Sequence, residues 1–541
     1  MAMAIHWPIQ WLGEPLRYID VGHCWQLTFF FQASLRRKGG KLVILAFNCM
    51  QIEMQYDIAI VGGGVMGSAC AWRLSLAGLR VVLLEQSPSH LHASGSSHGH
   101  SRIIRRTYLE PHYAKLMNVA YPLWDALSQS SGCGPLRAYR AGDPGEPPLV
   151  RFTGGLSLVL VGSKEHADLL RACASAGVAV KEVPPSEALA RWGLVLPEGT
   201  VAVEEEAGST GVAVGVGRCV AAMQAAAVAR GAELRTGATV VGLHAAAEGG
   251  VRLQVQCSGG EGAPQSQVVQ EVRSRRAVLC PGAWGGPLVE ALLGLRLPLQ
   301  PLLCSTAYYG RQAAADATPA AGAAQEPQEP LPVLIDWRPK EQGGGIYGCP
   351  VTAWGAEGEA YAQAAAYKFA IHDGVPTTAA GRPFAPSEAT TVEPVKAWVA
   401  RHAPTFESQP LPGSTATCLY TMTPDEGFVV DEVPVPPALP PPAPLACGGG
   451  GGEGAHPAAA GGLAFLCAGF SGHGFKFAPL VGEVCAQWCL ASLACSTPGA
   501  PSPMHSVEQW LQEATARHGS AAPGEGGAGE AFLPFFSASR F

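Results

Sequence analysis

Charged residues are scarce in this sequence. Only 15% of the 541 residues are Asp, Glu, Lys or Arg, whereas 48% are hydrophobic, and the formal net charge is −7. The longest basic run is Arg36–Lys38, which is too short to create the positive field that holds a nucleic-acid backbone. Apolar runs never reach the roughly 18 residues needed to cross a bilayer. The composition therefore excludes global disorder and argues against nucleic-acid-binding and membrane-spanning functions.

Cys-x-x-Cys spacing is also absent, although the chain has 16 cysteines. Without such pairs the sequence indicates neither a zinc site nor a disulfide framework, so we predict no bound metal and a reducing compartment. All but one of the cysteines, discussed below, are expected to be small structural residues.

Two segments of low complexity interrupt an otherwise patterned chain. Residues 313–332 are rich in Ala, Pro, Gln and Glu, and residues 434–462 pass from a Pro/Ala run into polyglycine. Neither can bury enough apolar area to offset the entropy of ordering, so we predict surface inserts, with a linker between independent domains as the alternative.

The N-terminal segment, residues 1–55, has two interpretations. Its low content of acidic residues favours an organellar targeting segment, whereas Met54, just before the first clear strand, favours an upstream extension.

A nucleotide-binding pattern follows directly. Its parts occur in the order strand Asp57–Val61, glycines Gly62, Gly64 and Gly67, helix to about Ala77, strand Arg80–Leu84, and Glu85 at the strand end. The glycines permit a tight turn, close approach of the backbone to a pyrophosphate and close packing of helix on strand. The first helical turn, with Val65 and Met66, would face the diphosphate, and Glu85 would accept hydrogen bonds from a ribose. This βαβ unit predicts a Rossmann-like dinucleotide-binding domain.

The fingerprint alone does not distinguish FAD from a nicotinamide. An FAD enzyme reduced by a nicotinamide would need a second fingerprint, and a disulfide reductase would also need a Cys-x4-Cys pair; the chain has neither. This favours a single dinucleotide and a substrate that delivers electrons directly.

Four further motifs are more specific. They are SSHGHSRIIRRTY (Ser96–Tyr108), AVLCPGAW (Ala277–Trp284), CLYTMTPDEGF (Cys418–Phe428) and AGFSGHGFKF (Ala468–Phe477). With the fingerprint they resemble the FAD-dependent amine oxidases of the D-amino-acid-oxidase superfamily, and most closely the monomeric sarcosine oxidases, L-pipecolate oxidases and N-methyltryptophan oxidases. The resemblance covers about residues 56–541 apart from the two inserts.

The resemblance implies an α/β fold of mixed sheets in two discontinuous domains. The Rossmann-like FAD-binding domain would comprise 56–150, 208–300 and 412–541, and a mixed-sheet substrate domain would comprise 151–207 and 301–411. The active site is expected between them.

Candidate site residues follow from chemistry and from the resemblance. An amino-acid substrate must anchor its carboxylate, and Arg105 and Lys476 offer a planar fork and a point charge for this; the resemblance matches them to the carboxylate-binding pair. It further implies Arg102 and His98 beside the flavin ring, Tyr347 and Tyr420 in the pocket wall, His473 in the catalytic site, Gly472, Gly474 and Phe475 at the cofactor, and Val240 at the adenine. Sarcosine oxidases commonly have two adjacent tyrosines where this chain has Tyr347 alone, so the pattern is closer to that of pipecolate oxidases.

Two further roles come from the resemblance. Lys368 and His372 reproduce a Lys-x-x-x-His spacing that places a lysine over the flavin, where a cation would stabilise the charge that develops on O2. Cys418 matches the cysteine that carries the flavin through a thioether to its 8α-methyl group. A neighbouring cation would favour the thiolate needed for attachment.

These observations predict FAD-dependent oxidation of a secondary amino acid, of the L-pipecolate or sarcosine type, to an imine, with O2 reduced to hydrogen peroxide. Alternatives are a dehydrogenase of the same fold with another electron acceptor, and a non-catalytic flavin-binding protein. We expect a monomer in the peroxisome or cytoplasm, or in another organelle if residues 1–53 are a transit segment. Ser539–Phe541 is near in type to a peroxisomal address but also matches the family's last strand. Glu204–Glu206 is expected to be a solvated charge run, and His92 a loop residue.

Overall fold

The computed structural model describes residues 31–38, 41–49, 55–138, 146–246, 249–257, 268–312, 329–352, 355–378, 386, 388–437, 462–494, 502–518 and 537. The chain forms two compact units, residues 1–54 and 55–541. In the first unit, strands Phe31–Lys38 (β1) and Lys41–Cys49 (β2) pair as an antiparallel hairpin. The remainder of the segment predicted as an extension or targeting sequence, and Ser539–Phe541, lie outside the described residues.

The second unit alternates strands and helices. Its strands are Gln55–Val61 (β3), Val81–Leu84 (β4), Ser101–Arg105 (β5), Val150–Phe152 (β6), Gly155–Leu160 (β7), Val180–Val183 (β8), Thr200–Glu205 (β9), Thr210–Val214 (β10), Glu233–Arg235 (β11), Ala238–Ala245 (β12), Val251–Cys257 (β13), Val268–Leu279 (β14), Gln300–Tyr309 (β15), Val333–Asp336 (β16), Ile346–Pro350 (β17), Tyr367–Ile371 (β18), Val375–Pro376 (β19), Ala416–Met422 (β20), Val429–Val435 (β21) and Gly462–Ala468 (β22). Its α-helices are Val65–Leu76 (α1), Pro111–Ser130 (α2), Lys164–Ser175 (α3), Pro185–Trp192 (α4), Val216–Val228 (α5), Gly285–Leu293 (α6), Gly355–Gln363 (α7), Glu393–His402 (α8), Ala478–Ala494 (α9) and Pro503–His518 (α10). Short 3-10 turns occupy Gly282–Trp284, Lys340–Gln342 and Phe475–Phe477, and a π-helical turn occupies Glu388–Val392.

A largely parallel sheet carries the nucleotide-binding pattern. Strands β11, β4, β3, β14 and β22 run parallel in that order, β21 pairs antiparallel with β22, and the first half of β14 continues into an antiparallel meander with β13 and β12. All four residues of β4 are buried, because helices and strands cover both faces of a parallel sheet. The α1 helix packs against α5 and α9. The predicted βαβ unit is confirmed, with α1 ending one residue before the predicted position.

The second large sheet is mixed and contains nine strands in the described residues. The order is β19-β15-β18-β17-β16-β7-β9-β8, and β20 pairs with β15. Strands β5, β10 and β6 form a separate antiparallel sheet. Strand pairing thus places β20 in the nine-stranded sheet, whereas the sequence analysis assigned 412–541 to the FAD-binding domain. The predicted α/β class with mixed sheets is confirmed.

The second predicted insert begins too early. Val435 still pairs with Gly462 and Pro434 with Leu463 at the end of the β21–β22 ladder. Proline is tolerated there because β21 has one strand neighbour among the described residues, so its missing N–H is not needed on the open side. Residues 438–461 of this insert and 313–328 of the first lie outside the described residues.

One segment of the described chain, Phe475–Ala494, has the length and mean hydropathy (1.3) of a membrane span, but 72% of that window is buried within the protein. Trp488 and Cys485 in α9 are fully buried in the core cluster beside the parallel sheet. The helix therefore has the burial of a core helix.

Candidate active site

Two positions, one in the turn after β3 and one in the first turn of α1, have room only for glycine. Gly62 has φ +101°, and a Cβ there would lie 2.3 Å from the carbonyl oxygen of Cys280. A Cβ on Gly67 would lie 1.8 Å from the carbonyl oxygen of Gly62. The fingerprint glycines thus let the turn close tightly over α1, and Gly64 is the N-cap of that helix.

Glu85 joins this turn from the end of β4. Its carboxylate accepts hydrogen bonds from the backbone N–H groups of Gly63 and Ser87, both at 2.7 Å, and His92 Nε2 lies 3.4 Å away. Burial raises the pKa of Glu85, but the bonds from His92, Ser87 and Gly63 outweigh it and hold the pKa below its usual value. Glu85 is therefore ionised at neutral pH and able to accept ribose hydroxyls.

A cavity of about 380 Å³, which we call the cofactor cavity, opens at this turn. Predicted cofactor-binding residues that line it are Gly62, Gly64, Val65, Met66, Glu85, Val240, Gly472, Gly474 and Phe475. Apolar walls from Leu84, Val240 and Leu288 suit an adenine ring, while the positive end of the α1 dipole, at Gly64, Val65 and Met66, suits a diphosphate. The shape and donor set of this cavity fit the adenosine diphosphate half of FAD.

A second cavity, of about 470 Å³, adjoins the first. Arg102, Tyr420, Gly472 and Phe475 line both cavities, so a ligand can extend from one into the other. Predicted residues found only in the second cavity are Arg105, Tyr347, Lys368, His372, Cys418, His473 and Lys476. We call it the substrate cavity.

The two predicted carboxylate-binding cations share one aromatic ring in this cavity. Arg105 Cζ lies 4.0 Å from the ring centroid of Tyr108, and Lys476 Nζ lies 5.4 Å from the same centroid. Lys476 Nζ also donates to the Tyr108 hydroxyl at 2.9 Å and to the His473 carbonyl at 2.7 Å. Trp337 stacks on the Arg105 guanidinium at 4.8 Å. Tyr108 thereby places both cations on one part of the cavity wall.

Burial weakens the basicity of Lys476 and of His372. It lowers the pKa of Lys476 well below its usual value, and the Arg105 charge lowers it further. It also lowers the pKa of His372 to about 4, with Lys340 and Arg105 contributing. At neutral pH the His372 imidazole is therefore neutral and can accept a hydrogen bond.

An opposed pair of tyrosines forms another wall. The hydroxyl oxygens of Tyr347 and Tyr420 are 2.9 Å apart, and the ring of His372 lies 5.3 Å from that of Tyr420. A Cβ on Gly472 would lie 2.6 Å from Tyr420 Cδ2. Glycine at this position therefore lets the Tyr420 ring pack directly on the motif Ala468–Phe477.

Lys368 is a third buried cation that lines the substrate cavity. Its Nζ donates to the Ser101 carbonyl at 3.0 Å, and that carbonyl also accepts from Arg102 Nη1 at 2.9 Å. Burial is the main cause of its lowered pKa. Arg102 Nη2 additionally donates to the His98 carbonyl at 2.6 Å. Backbone oxygens at the start of β5 and just before it therefore fix both cations.

Cys418 lies on β20 directly opposite Cys304 of β15. Its side chain is 6% exposed and lines the substrate cavity rather than the cavity at the fingerprint turn. Burial raises the pKa of the neighbouring Cys304 thiol.

Comparison with known proteins identifies the family. The model of the FAD dependent oxidoreductase family, DAO, matches residues 57–488. The chain belongs to this family. The resemblance inferred from the motifs is thereby confirmed, and so is FAD as the cofactor.

Curated relatives and solved structures agree with this assignment. A probable sarcosine oxidase of Arabidopsis thaliana is 27% identical over 441 residues, covering 81% of this chain and 88% of the relative. The peroxisomal sarcosine oxidase of Homo sapiens is 27% identical over 435 residues, covering 79% and 90%. The structure of NikD, an amino acid oxidase essential for nikkomycin biosynthesis, has a TM-score of 0.58 at 21% identity, covering 84% of this chain and 97% of NikD. NikD shares the fold of this DAO-family chain.

Two of the predicted site residues of this DAO-family chain line neither cavity. Gly67 packs against the Gly62 carbonyl, where it shapes the turn, and His98 presents its backbone carbonyl to Arg102. The structure therefore supports a structural position for both, while the other predicted residues surround the two cavities.

Several residues that lie at the cavities were given no role in the site by the sequence analysis. Tyr108 is part of a quoted motif, but its position between two cations depends on the packing of β5 against the Phe475–Phe477 turn. His92, expected to be a loop residue, lines the cofactor cavity and contacts Glu85. Trp337 follows β16 and meets Arg105 only through the tertiary fold.

The charge run Glu204–Glu206 is not uniformly solvated as predicted. Glu204 forms an ion pair with Arg191 at 2.7 Å, whereas Glu205 is only 7% exposed. Successive residues of a strand point to opposite faces of the sheet. The alternation along β9 could therefore have predicted that Glu204 and Glu205 differ in burial.

Three cysteines that are far apart in the sequence form a cluster. The Sγ atoms of Cys70, Cys280 and Cys467 all lie within 4.8 Å of one another, and each residue is buried. Cys280 and Cys467 also line the cofactor cavity. The absence of Cys-x-x-Cys spacing did not reveal this grouping, because its members come from three different elements.

Proposed function

We propose that this DAO-family enzyme oxidises a secondary amino acid whose carboxylate is held by Arg105 and Lys476. The observation that carries the proposal is the shared contact of both cations with Tyr108, in a cavity that adjoins the cofactor cavity. A guanidinium and an ammonium on one wall provide charge-assisted hydrogen bonds for a carboxylate. The sarcosine oxidases among its relatives support the same substrate class.

The substrate amine has to lose its proton before it can be oxidised. Arg102, Arg105, Lys368 and Lys476 line the cavity, and nearby positive charge favours the neutral form of an amine. The neutral imidazole of His372 and the Tyr347–Tyr420 hydroxyl pair provide hydrogen-bonding groups for its N–H. FAD, when bound, supplies the two-electron oxidation of the C–N bond to an imine and passes the electrons to O2, giving hydrogen peroxide.

Lys368 is proposed to promote the reaction with O2. Negative charge develops on O2 as it accepts the first electron, and a cation that is already in place stabilises it without reorganisation. The bond from Lys368 Nζ to the Ser101 carbonyl supports this role, because it fixes the ammonium in the cavity wall.

Cys418 is proposed to carry the cofactor covalently. Its position in the substrate cavity, next to Tyr420 on β20, supports attachment at the ring end of the flavin rather than at the adenosine end. Acid precipitation of the purified protein should leave the yellow colour in the pellet. Cys418→Ser should release the colour to the supernatant, whereas Cys304→Ser, the cross-strand control, should retain it; release from the wild type would contradict the attachment.

The single tyrosine at Tyr347 supports a cyclic secondary amino acid such as L-pipecolate over sarcosine. We would measure O2 consumption with both substrates, and with piperidine, which has the ring but no carboxylate. The proposal expects turnover of L-pipecolate and at least about tenfold lower kcat/KM for piperidine. Equal rates for piperidine and pipecolate would contradict the carboxylate site. Flavin reduction without O2 consumption would indicate a dehydrogenase instead.

A peroxisomal, monomeric enzyme is the proposed cellular form. The human relative is named a peroxisomal enzyme, and a peroxide-forming reaction suits that compartment. Fluorescent fusions at either end of the chain test the location, and sedimentation tests the mass.

A further inference from the structure

A buried carboxylate lies behind the proposed substrate anchor. Glu205 ends β9 of the nine-stranded sheet, and its side chain reaches the small sheet formed by β5, β10 and β6. One oxygen, Oε1, accepts from Thr107 Oγ1 at 2.7 Å, and the other, Oε2, accepts from Thr210 Oγ1 at 2.5 Å. Both threonines are fully buried, so these bonds are made away from water.

Each threonine is tied to Arg105. The Thr107 carbonyl accepts a hydrogen bond from Arg105 Nη1, and Thr210 is the cross-strand partner of Arg105 in the β5–β10 ladder. Glu205 therefore binds Thr107, which accepts from the Arg105 guanidinium, and also Thr210, which pairs with the Arg105 backbone. The arrangement leaves little freedom for the arginine to move relative to the nine-stranded sheet.

The structure also makes space for this carboxylate. A Cβ on Gly155, in β7, would lie 2.4 Å from Glu205 Oε1, so glycine is required beside it. Burial raises the pKa of Glu205 above its usual value, and the hydrogen bonds from Thr107 and Thr210 and the charges of Arg105 and Arg106 oppose this rise. The two hydroxyl donors satisfy both oxygens of this buried carboxyl group, which a buried polar group requires.

We infer that Glu205 is a positioning residue for substrate binding: through Thr107 and Thr210 it fixes the Arg105 guanidinium where the substrate carboxylate docks. This inference rests on the proposed function, since it assigns Arg105 to the carboxylate. Glu205 itself does not contact the substrate in this account, because it does not line the substrate cavity.

The test compares two adjacent glutamates in the holoenzyme. Glu205→Gln keeps the volume but replaces one acceptor oxygen by a donor, whereas Glu204→Gln alters the Arg191 ion pair. The readouts are the dissociation constant of acetate, which has a carboxylate and no oxidisable C–N bond, and the kinetics with L-pipecolate. We expect Glu205→Gln to raise the acetate Kd and the pipecolate KM about tenfold with a smaller change in kcat, and Glu204→Gln to leave all three unchanged.

A double-mutant cycle shows whether the effect passes through Arg105. If it does, Glu205→Gln adds nothing to acetate binding in an Arg105→Met background, because the two changes remove the same interaction. Additive effects would overturn the inference, as would an unchanged acetate Kd in a Glu205→Gln enzyme that oxidises pipecolate. A wild-type enzyme that neither binds acetate nor oxidises secondary amino acids would instead overturn the proposed function. If Glu205→Gln does not fold, Thr107→Val removes one hydroxyl donor, and an unchanged acetate Kd in that variant would equally overturn the inference.

Discussion

Replacing Arg105 by methionine should separate substrate binding from the chemical step. Within the described chain, the guanidinium donates to the Thr107 carbonyl and stacks between the rings of Tyr108, at 4.0 Å, and Trp337, at 4.8 Å. Methionine retains much of the apolar contact with both rings but loses the charge and the donors. A hydrogen bond to a charged group contributes about 1.5–3 kcal/mol, which corresponds to a rise in KM of roughly 10- to 150-fold.

The rise should appear in KM more than in kcat, because the carboxylate is anchored equally before and during the oxidation. Initial rates over a range of L-pipecolate concentrations measure both parameters. Arg73→Met is the matched control: its guanidinium lies over the Trp72 ring at 5.0 Å and does not line the substrate cavity. An Arg105→Met enzyme with the wild-type KM would refute the carboxylate site.

Three other changes give distinct signatures. Lys368→Met should slow oxidation of the reduced enzyme by O2 about 100-fold while leaving anaerobic reduction by substrate intact; stopped-flow absorbance measures each half-reaction, and equal slowing of both would contradict the role. Burial and the Arg105 charge lower the pKa of Lys476, so its ammonium loses its proton below the usual lysine pKa of about 10.4. KM should therefore rise as the pH is raised toward that value, and Lys476→Met should abolish that rise. Gly62→Ala places a methyl group 2.3 Å from the Cys280 carbonyl at φ +101° and should yield folded but colourless protein; a yellow protein with full FAD content would contradict the fit.

The nucleotide-binding unit could be predicted from the sequence because its determinants are local. The β3–α1–β4 order, the glycine spacing and the carboxylate at the end of β4 lie within about 30 residues. The distal motifs grouped Arg105, Lys476 and Tyr420, which line the substrate cavity, because the family resemblance supplied long-range proximity that spacing alone does not provide.

Sequence reasoning did not find groups whose proximity arises from sheet pairing. Glu205 reaches Thr107 because β9 and β5, the strand that precedes Thr107, belong to different sheets that meet at this point. Trp337 meets Arg105, and Tyr108 meets Lys476, through packing between segments more than 200 residues apart. The Cys70 cluster similarly combines α1, β22 and the loop after β14.

The central claim is that a carboxylated secondary amine reduces the bound FAD in this cavity. Anaerobic titration of the purified protein with L-pipecolate and with sarcosine, followed by the loss of flavin absorbance, tests it most directly. We predict complete bleaching by L-pipecolate at lower concentration than by sarcosine. A protein that contains FAD and stays yellow with both substrates would contradict the claim.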